Sequence, residues 1–201
     1  MVTGDLPIGL AEQLCKAGRV AVDTETTGLD WRTDSLELCQ LFATSVGAVL
    51  LRIEGDAPHL RSLLEDASVA KVFHFAPFDL RFLEAALGAR TTSVICTKAA
   101  SKLLNPELPA SSHSLGALLA RHFGVELDKG PVRTSDWGAK ELTEAQTDYA
   151  VSDVASLLRL ADVEVEDLRR QGLEDVFAAI CAYMPVDAHL EVIGVPDPLS
   201  Y

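Results

Sequence analysis

Four carboxylates and one phenol, spread over three separate segments, could form a site that holds divalent cations. They are Asp23, Glu25, Asp79, Tyr149 and Asp153. Carboxylate oxygens are the ligands that hard cations such as Mg²⁺ prefer. Bound cations would also offset the repulsion between clustered carboxylates, which would otherwise be costly to bury. The carboxylates therefore favour a metal-binding site.

The spacing of these residues suits a shared site. Asp23 and Glu25 are two positions apart, which places them on one side of an extended chain. Tyr149 and Asp153 are four positions apart, which places them on one face of a helix. Taken singly, each piece has an ordinary interpretation: a solvated strand end, a half-exposed helix face or, for Asp79, an acid stabilised by a helix N-terminus. Their combination and order favour a common site.

The elements that would position these residues can be predicted from hydrophobic periodicity and from helix-start and helix-stop signals. The predicted strands are residues 19–23, 36–43, 47–53, 70–75 and 92–96. The predicted helices are 58–66, a helix beginning near Pro77, 97–104, a helix ending at Gly124, 143–170 and 173–183, the last stopping before Pro185. Three antiparallel strands followed by a strand–helix–strand unit predict an α/β fold with a mixed sheet. If 70–75 neighbours 19–23, Asp79 lies beside Asp23.

Composition limits the class of partner. The 201 residues predict one domain, 1–201, with a net charge of −13. That sign argues against a long nucleic-acid groove, which would rely on Lys and Arg, but not against a small phosphate-bearing substrate. We expect no membrane span and no signal peptide. The four widely spaced cysteines indicate free thiols in a reducing cytoplasm.

Three motifs carry a resemblance to a known family. They are 21-AVDTET-26, 71-KVFHFAPFDL-80 and 149-YAVSDVASLLRL-160, supported by 126-ELDKGPVRTSDW-137 and 142-LTEAQ-146. Over roughly residues 19–165 the chain resembles the DEDD superfamily of 3′–5′ exonucleases, in its tyrosine-bearing branch, and ribonuclease D in particular. The resemblance implies a ribonuclease H-like fold with a mixed five-stranded sheet flanked by helices.

A second set of segments resembles the small ring-forming nano-RNases of type C, which cleave dinucleotides. These segments are 92-TSVICTKAASKLL-104, 113-HSL-115 and 181-CAYMPVDAHLEVIG-194. The resemblance implies a homo-oligomeric ring. The apolar residues near the C-terminus lead us to expect that residues 166–201, a helix and a tail, are used in packing or oligomerisation. The chain also ends soon after the catalytic fold, which leads us to expect no C-terminal RNA-binding domains and a small substrate.

The family chemistry implies two divalent metal ions, Mg²⁺ or Mn²⁺, held by the four carboxylates. One ion would activate water and the other would stabilise the leaving 3′-oxygen. Tyr149 would orient the water or accept its proton; a free tyrosine, with a pKa near 10, is a poor base.

Further residues are candidates for substrate binding. They are Thr24, Thr26, Leu29, His74, Phe75, Lys129, Arg133 and Ser135. Leu29 could be a wedge between bases or a turn residue, and His74 could bind nucleotide or be structural. Lys129 or Arg133 could neutralise a substrate phosphate, or could belong to a surface loop held by Trp137. His113 is more simply interpreted as a structural residue at a helix start.

The function predicted from these features is hydrolysis of very short RNA from the 3′ end to 5′-mononucleotides. One alternative is a trimming exonuclease acting on tRNA, longer RNA or single-stranded DNA. Another, of a different class, is an inactive nucleic-acid-binding module. The presence of all four carboxylates and Tyr149 disfavours the inactive module.

Overall fold

A six-stranded mixed sheet lies at the centre of the computed structural model, which describes residues 1–126, 132, 135–139, 141–195 and 197–199. The strands are β1 (Val2–Gly4), β2 (Arg19–Thr26), β3 (Leu36–Ala43), β4 (Gly47–Ile53), β5 (Ala70–Phe73) and β6 (Val94–Cys96). Their order is β1-β4-β3-β2-β5-β6. The contacts β2–β3 and β3–β4 are antiparallel, whereas β1–β4, β2–β5 and β5–β6 are parallel.

The α/β class and the mixed sheet are confirmed, but the predicted count of five strands is corrected to six. The additional strand, β1, has only three residues and pairs with β4 at the edge of the sheet. A segment this short shows no alternating pattern, so its strand character depends on the partner strand.

Eight α-helices surround the sheet in the described part of the chain. They are α1 (Ile8–Lys16), α2 (Pro58–Glu65), α3 (Ala76–Leu87), α4 (Thr97–Leu104), α5 (Leu115–Phe123), α6 (Glu144–Ala155), α7 (Leu157–Arg170) and α8 (Glu174–Val192). Local signals set several ends: Pro58 and Pro77 lie in first turns, where the missing N–H is tolerated. Gly124 ends α5 in the left-handed conformation, with φ of 65°.

Two predicted helix boundaries are wrong. The predicted helix 143–170 is interrupted at Ser156, where the chain leaves α6, which packs on the sheet, and enters α7, which packs on α4. The predicted stop before Pro185 is also wrong, because α8 continues through this proline to Val192. Beyond Pro185, the Arg81–Glu191 ion pair and a contact between His189 Nδ1 and Glu84 Oε1 hold α8 against α3.

The two faces of β2 have different neighbours. Val20 and Val22 belong to the large core cluster that includes α1, α2, α3 and α8. Ala21 faces the opposite way and packs with Val154 and Leu157 of α6 and α7. Asp23 and Glu25 follow the Ala21 alternation and therefore face the α6 side of the sheet. Across the described residues, no helix is both long and apolar enough to cross a membrane.

Candidate active site

Three carboxylates converge where the end of β2 meets α6. Asp23 and Glu25 lie opposite Gln40 and Leu38 of β3, and a β-bulge follows Glu25. The capping box of Thr143 and Gln146 begins α6, as predicted, and this helix carries Asp153 across the sheet face. One carboxylate oxygen from each of Asp23, Glu25 and Asp153 lies within 4.8 Å of the others. An all-oxygen donor set of this kind fits a hard divalent cation.

Asp79 reaches the same region from the first turn of α3. Parallel pairing of β5 with β2 brings the start of α3 beside the end of β2, as the sequence predicts. Asp79 is buried, and the Thr24 hydroxyl donates a hydrogen bond of 2.7 Å to its Oδ1. Thr24 thus fixes the orientation of the fourth carboxylate.

A cavity of about 290 Å³ connects these groups. It is lined by Asp23, Thr24, Glu25, His74, Phe75, Phe78, Asp79, Lys98, Ser114, Leu115, Gly116, Tyr149, Ser152 and Asp153. All five residues with predicted catalytic roles therefore face one space, although they come from β2, α3 and α6.

The electrostatics of the cavity favour protonated carboxyl groups when no cation is bound. Burial, followed by the charges of Asp79, Asp153 and Glu25, raises the pKa of Asp23 well above its ordinary value. Burial and the charge of Asp153 raise the pKa of Glu25 to about 8. Burial raises the pKa of Asp79 to about 7, although the hydrogen bond from Thr24 opposes this shift. A bound cation would favour the ionised forms that these surroundings disfavour.

Tyr149 lies beside these carboxylates and is supported from behind by Trp137. The two ring centroids are 6.0 Å apart, and Trp137 is buried. Burial, then the charge of Asp153 and a hydrogen bond to it, raises the pKa of Tyr149 far above its ordinary value. The phenol is therefore neutral at physiological pH in the metal-free protein, which suits it to orienting water rather than accepting a proton.

Three of the predicted substrate-binding residues line the cavity: Thr24 on β2, and His74 and Phe75 just before α3. His74 contacts Thr97 Oγ1 through Nδ1 at 2.8 Å. Phe75 has a φ of 138°, an unusual value for a residue with a side chain, and the residue is 43% exposed. The Lys98 ammonium lies 4.3 Å from the Phe75 ring centroid.

Other predicted residues lie elsewhere. Thr26 donates to the Gly28 carbonyl oxygen at 2.5 Å, and Ser135 donates to Val132 and accepts from Gln146. Leu29 is 85% exposed and borders a smaller neighbouring cavity that shares Phe78 with the larger one. The predictions for Lys129 and Arg133 fall outside the described residues. His113 is buried and contacts Ser101, which agrees with a structural role.

Sequence reasoning missed several residues of the cavity lining. Lys98, Ser114 and Ser152 all line the cavity. Lys98 and Ser114 have no distinctive spacing relative to the acidic motifs, so the fold alone brings them to the site. Ser152 is one position from Asp153, so helical geometry could have suggested that it lies nearby.

Comparison with known proteins agrees with this arrangement. The sequence profile of a 3′–5′ exonuclease family matches residues 4–163. Ribonuclease D of Cronobacter turicensis is 33% identical over 174 residues, which are 86% of this chain and 46% of that protein. Ribonuclease D of Gluconacetobacter diazotrophicus is 31% identical in an alignment of 195 residues that covers 94% of this chain and 47% of that protein. The chain thus spans about half the length of these relatives.

Solved structures extend the likeness to the fold. Brucella melitensis NrnC with bound Mg²⁺ superposes with a TM-score of 0.88 at 33% identity, covering 100% of both chains. Escherichia coli RNase D superposes with a TM-score of 0.80 at 25% identity, covering 92% of this chain and 50% of that one. The site geometry, the sequence profile and these relatives agree, and the chain therefore belongs to the 3′–5′ exonuclease family.

Proposed function

We propose that this protein is a metal-dependent 3′–5′ exoribonuclease that hydrolyses very short RNA to 5′-mononucleotides. The observation that carries the proposal is the convergence of Asp23, Glu25 and Asp153, with oxygens within 4.8 Å of one another. Asp79 and Tyr149 line the same cavity. We further propose that residues 1–201 act as one exonuclease domain, with α8 packed against α3 as part of it.

In this proposal the four carboxylates hold two divalent ions, Mg²⁺ or Mn²⁺. When bound, such ions lower the pKa of water and stabilise charge on a phosphodiester and its leaving oxygen. Thr24 holds the Asp79 carboxylate in place through its hydroxyl. Tyr149, neutral in its buried position, orients the attacking water at its phenolic oxygen.

Three observations favour a short substrate. The cavity, at about 290 Å³, is at the small end of ligand pockets and suits a terminal nucleotide and its neighbour better than a long strand. The net charge of −13 disfavours tracking along a polyanion. The Brucella melitensis NrnC to which this chain is similar has been solved bound to pGG.

The second candidate is trimming of longer RNA, including tRNA, or of single-stranded DNA. It is favoured by the identity of 31–33% to ribonuclease D proteins. The two candidates differ in the dependence of turnover on substrate length.

A length series separates them. Purified protein with Mg²⁺ is incubated with 5′-labelled RNAs of about two to twenty nucleotides, and kcat/KM is measured for each. The short-substrate proposal predicts that kcat/KM falls steeply beyond the shortest RNAs. Equal values at all lengths would favour the trimming candidate, and inactivity on every RNA would contradict both.

We also propose that the protein forms a homo-oligomeric ring and acts in the cytoplasm. Helix α8 is apolar on its outer side, where Val176, Ile180 and Val186 are 49%, 37% and 48% exposed. Exposed apolar surface of this kind is common at protein interfaces. All four cysteines are free thiols, as is usual in a reducing compartment. Light scattering should give a mass above 21.6 kDa that falls toward it for Ile180→Glu; a wild-type mass of 21.6 kDa would contradict the oligomer.

A further inference from the structure

Gln40 is a buried amide directly beside the candidate metal site. It lies opposite Asp23 in the antiparallel pair β2–β3, and its side chain is 0% exposed. Residues directly opposite each other in such a pair project to the same face of the sheet. Gln40 therefore shares with Asp23 and Glu25 the face that α6 covers.

The side-chain amide of Gln40 has a hydrogen-bond partner for its NH₂ group but not for its carbonyl oxygen among the described residues. Its Nε2 donates to Glu25 Oε1 at 3.4 Å, whereas its own Oε1 has no hydrogen-bond partner within the part of the chain that the structure describes. A buried acceptor left without a partner costs about 1–3 kcal/mol. Leu38 and Phe42, which alternate with Gln40 on the same face of β3, are apolar. An apolar residue would thus suit this position better if stability alone mattered.

We propose that Gln40 is a positioning residue that holds the Glu25 carboxylate in register with Asp23 and Asp153. Its amide engages Oε1 of Glu25 and leaves the second carboxylate oxygen for a cation. The distance of 3.4 Å is long for a hydrogen bond, and such contacts shorten when the acceptor is ionised. Groups that orient metal-binding carboxylates typically contribute 10–100-fold to metal affinity or activity. This inference rests on the proposed nuclease function.

The test uses Gln40→Met, which keeps the length of the side chain but removes the donor, and Gln40→Leu as a second apolar variant. Gln13→Met, on the exposed side of α1, is the matched control. Three quantities are measured: Tm in EDTA, Mn²⁺ affinity by calorimetry, and kcat and KM on a short RNA. Positioning predicts an unchanged or higher Tm, Mn²⁺ binding weakened roughly tenfold or more, and a lower kcat with little change in KM.

A folded Gln40 variant whose Mn²⁺ affinity and kcat equal those of the wild type would overturn the proposal. A Tm that falls together with activity in both variants would also overturn it, because that result indicates a packing role. The wild-type protein is measured in the same assay. Absence of metal-dependent hydrolysis by the wild type would contradict the proposed function itself. If the wild type is active and the Gln40 variants have the same Mn²⁺ affinity and kcat, only the role of Gln40 is contradicted.

Discussion

Replacing Asp153 by Asn should stabilise the metal-free protein while abolishing its activity. The charge of Asp153 is the largest electrostatic contribution to the raised pKa of Glu25, after burial, and it also raises the pKa of Asp23. Asn has nearly the same shape but carries no charge. The substitution therefore removes repulsion among buried carboxylates that no cation offsets.

The pH dependence follows from the sign of the shift. The pKa of Glu25 is about 8 in the folded protein against an ordinary value of 4.5, so the folded state binds more protons between these values. The resulting stability is fully present below about pH 4.5 and is lost as the pH rises through about 8. The difference between the two pKa values of Glu25 corresponds to roughly 5 kcal/mol of unfolding free energy, lost across this pH range. Because burial contributes more than Asp153, we expect Asp153→Asn to recover about 1–2 kcal/mol at pH 8.

Thermal unfolding in EDTA at pH 5.5 and pH 8 measures this effect. For a chain of this size the recovered free energy corresponds to a rise in Tm of about 2–8 °C at pH 8, and to less at pH 5.5. Added Mg²⁺ should raise the Tm of the wild type more than that of the variant. Asp148→Asn, at an exposed position on the same helix, is the control and should change little. An Asp153→Asn protein that is less stable than the wild type in EDTA at pH 8 would refute this reasoning.

Three further predictions concern Tyr149, Thr24 and Lys71. Tyr149→Phe should lose most of its kcat yet bind Mn²⁺ as the wild type does; unchanged kcat would exclude a role for the hydroxyl in orienting water. Thr24→Val should weaken Mn²⁺ binding measured by calorimetry, because Asp79 loses a buried donor at 2.7 Å that contributes about 1–3 kcal/mol; unchanged affinity would contradict this. Burial lowers the pKa of Lys71 from 10.5 to about 8, so the folded state binds fewer protons than the unfolded state between these values and stability rises with pH. The stability of Lys71→Met relative to the wild type, from urea unfolding, should therefore fall by up to roughly 3 kcal/mol between pH 7 and pH 10.5; a constant difference would contradict that shift.

The acidic motifs could be placed from sequence because each depends on local geometry. Alternation along β2 puts Asp23 and Glu25 on one face, and the capping box at Thr143 defines where α6 begins. One topological assumption, that β5 neighbours β2, was enough to bring Asp79 to them, and the pairing of these strands confirms it.

Other features depend on tertiary packing and were not predictable from local patterns. Helix α8 continues through Pro185 because α3 holds its later turns through the Arg81–Glu191 ion pair and the Glu84–His189 contact. The interruption at Ser156 reflects different packing partners on its two sides. Gln40 carries no motif of its own; only the register of β3 against β2 places it beside Glu25. Lys98 likewise reaches the cavity through the placement of α4.

In the proposed activity, the acidic cavity hydrolyses RNA from the 3′ end and requires a divalent metal ion. The most direct test follows 5′-labelled RNA over time with Mg²⁺ or with EDTA, for the wild type and for Asp79→Asn. We predict stepwise shortening from the 3′ end by the wild type with Mg²⁺, and no shortening in EDTA or by the variant. Cleavage that persists in EDTA, persists in the variant, or begins at internal bonds would contradict the account.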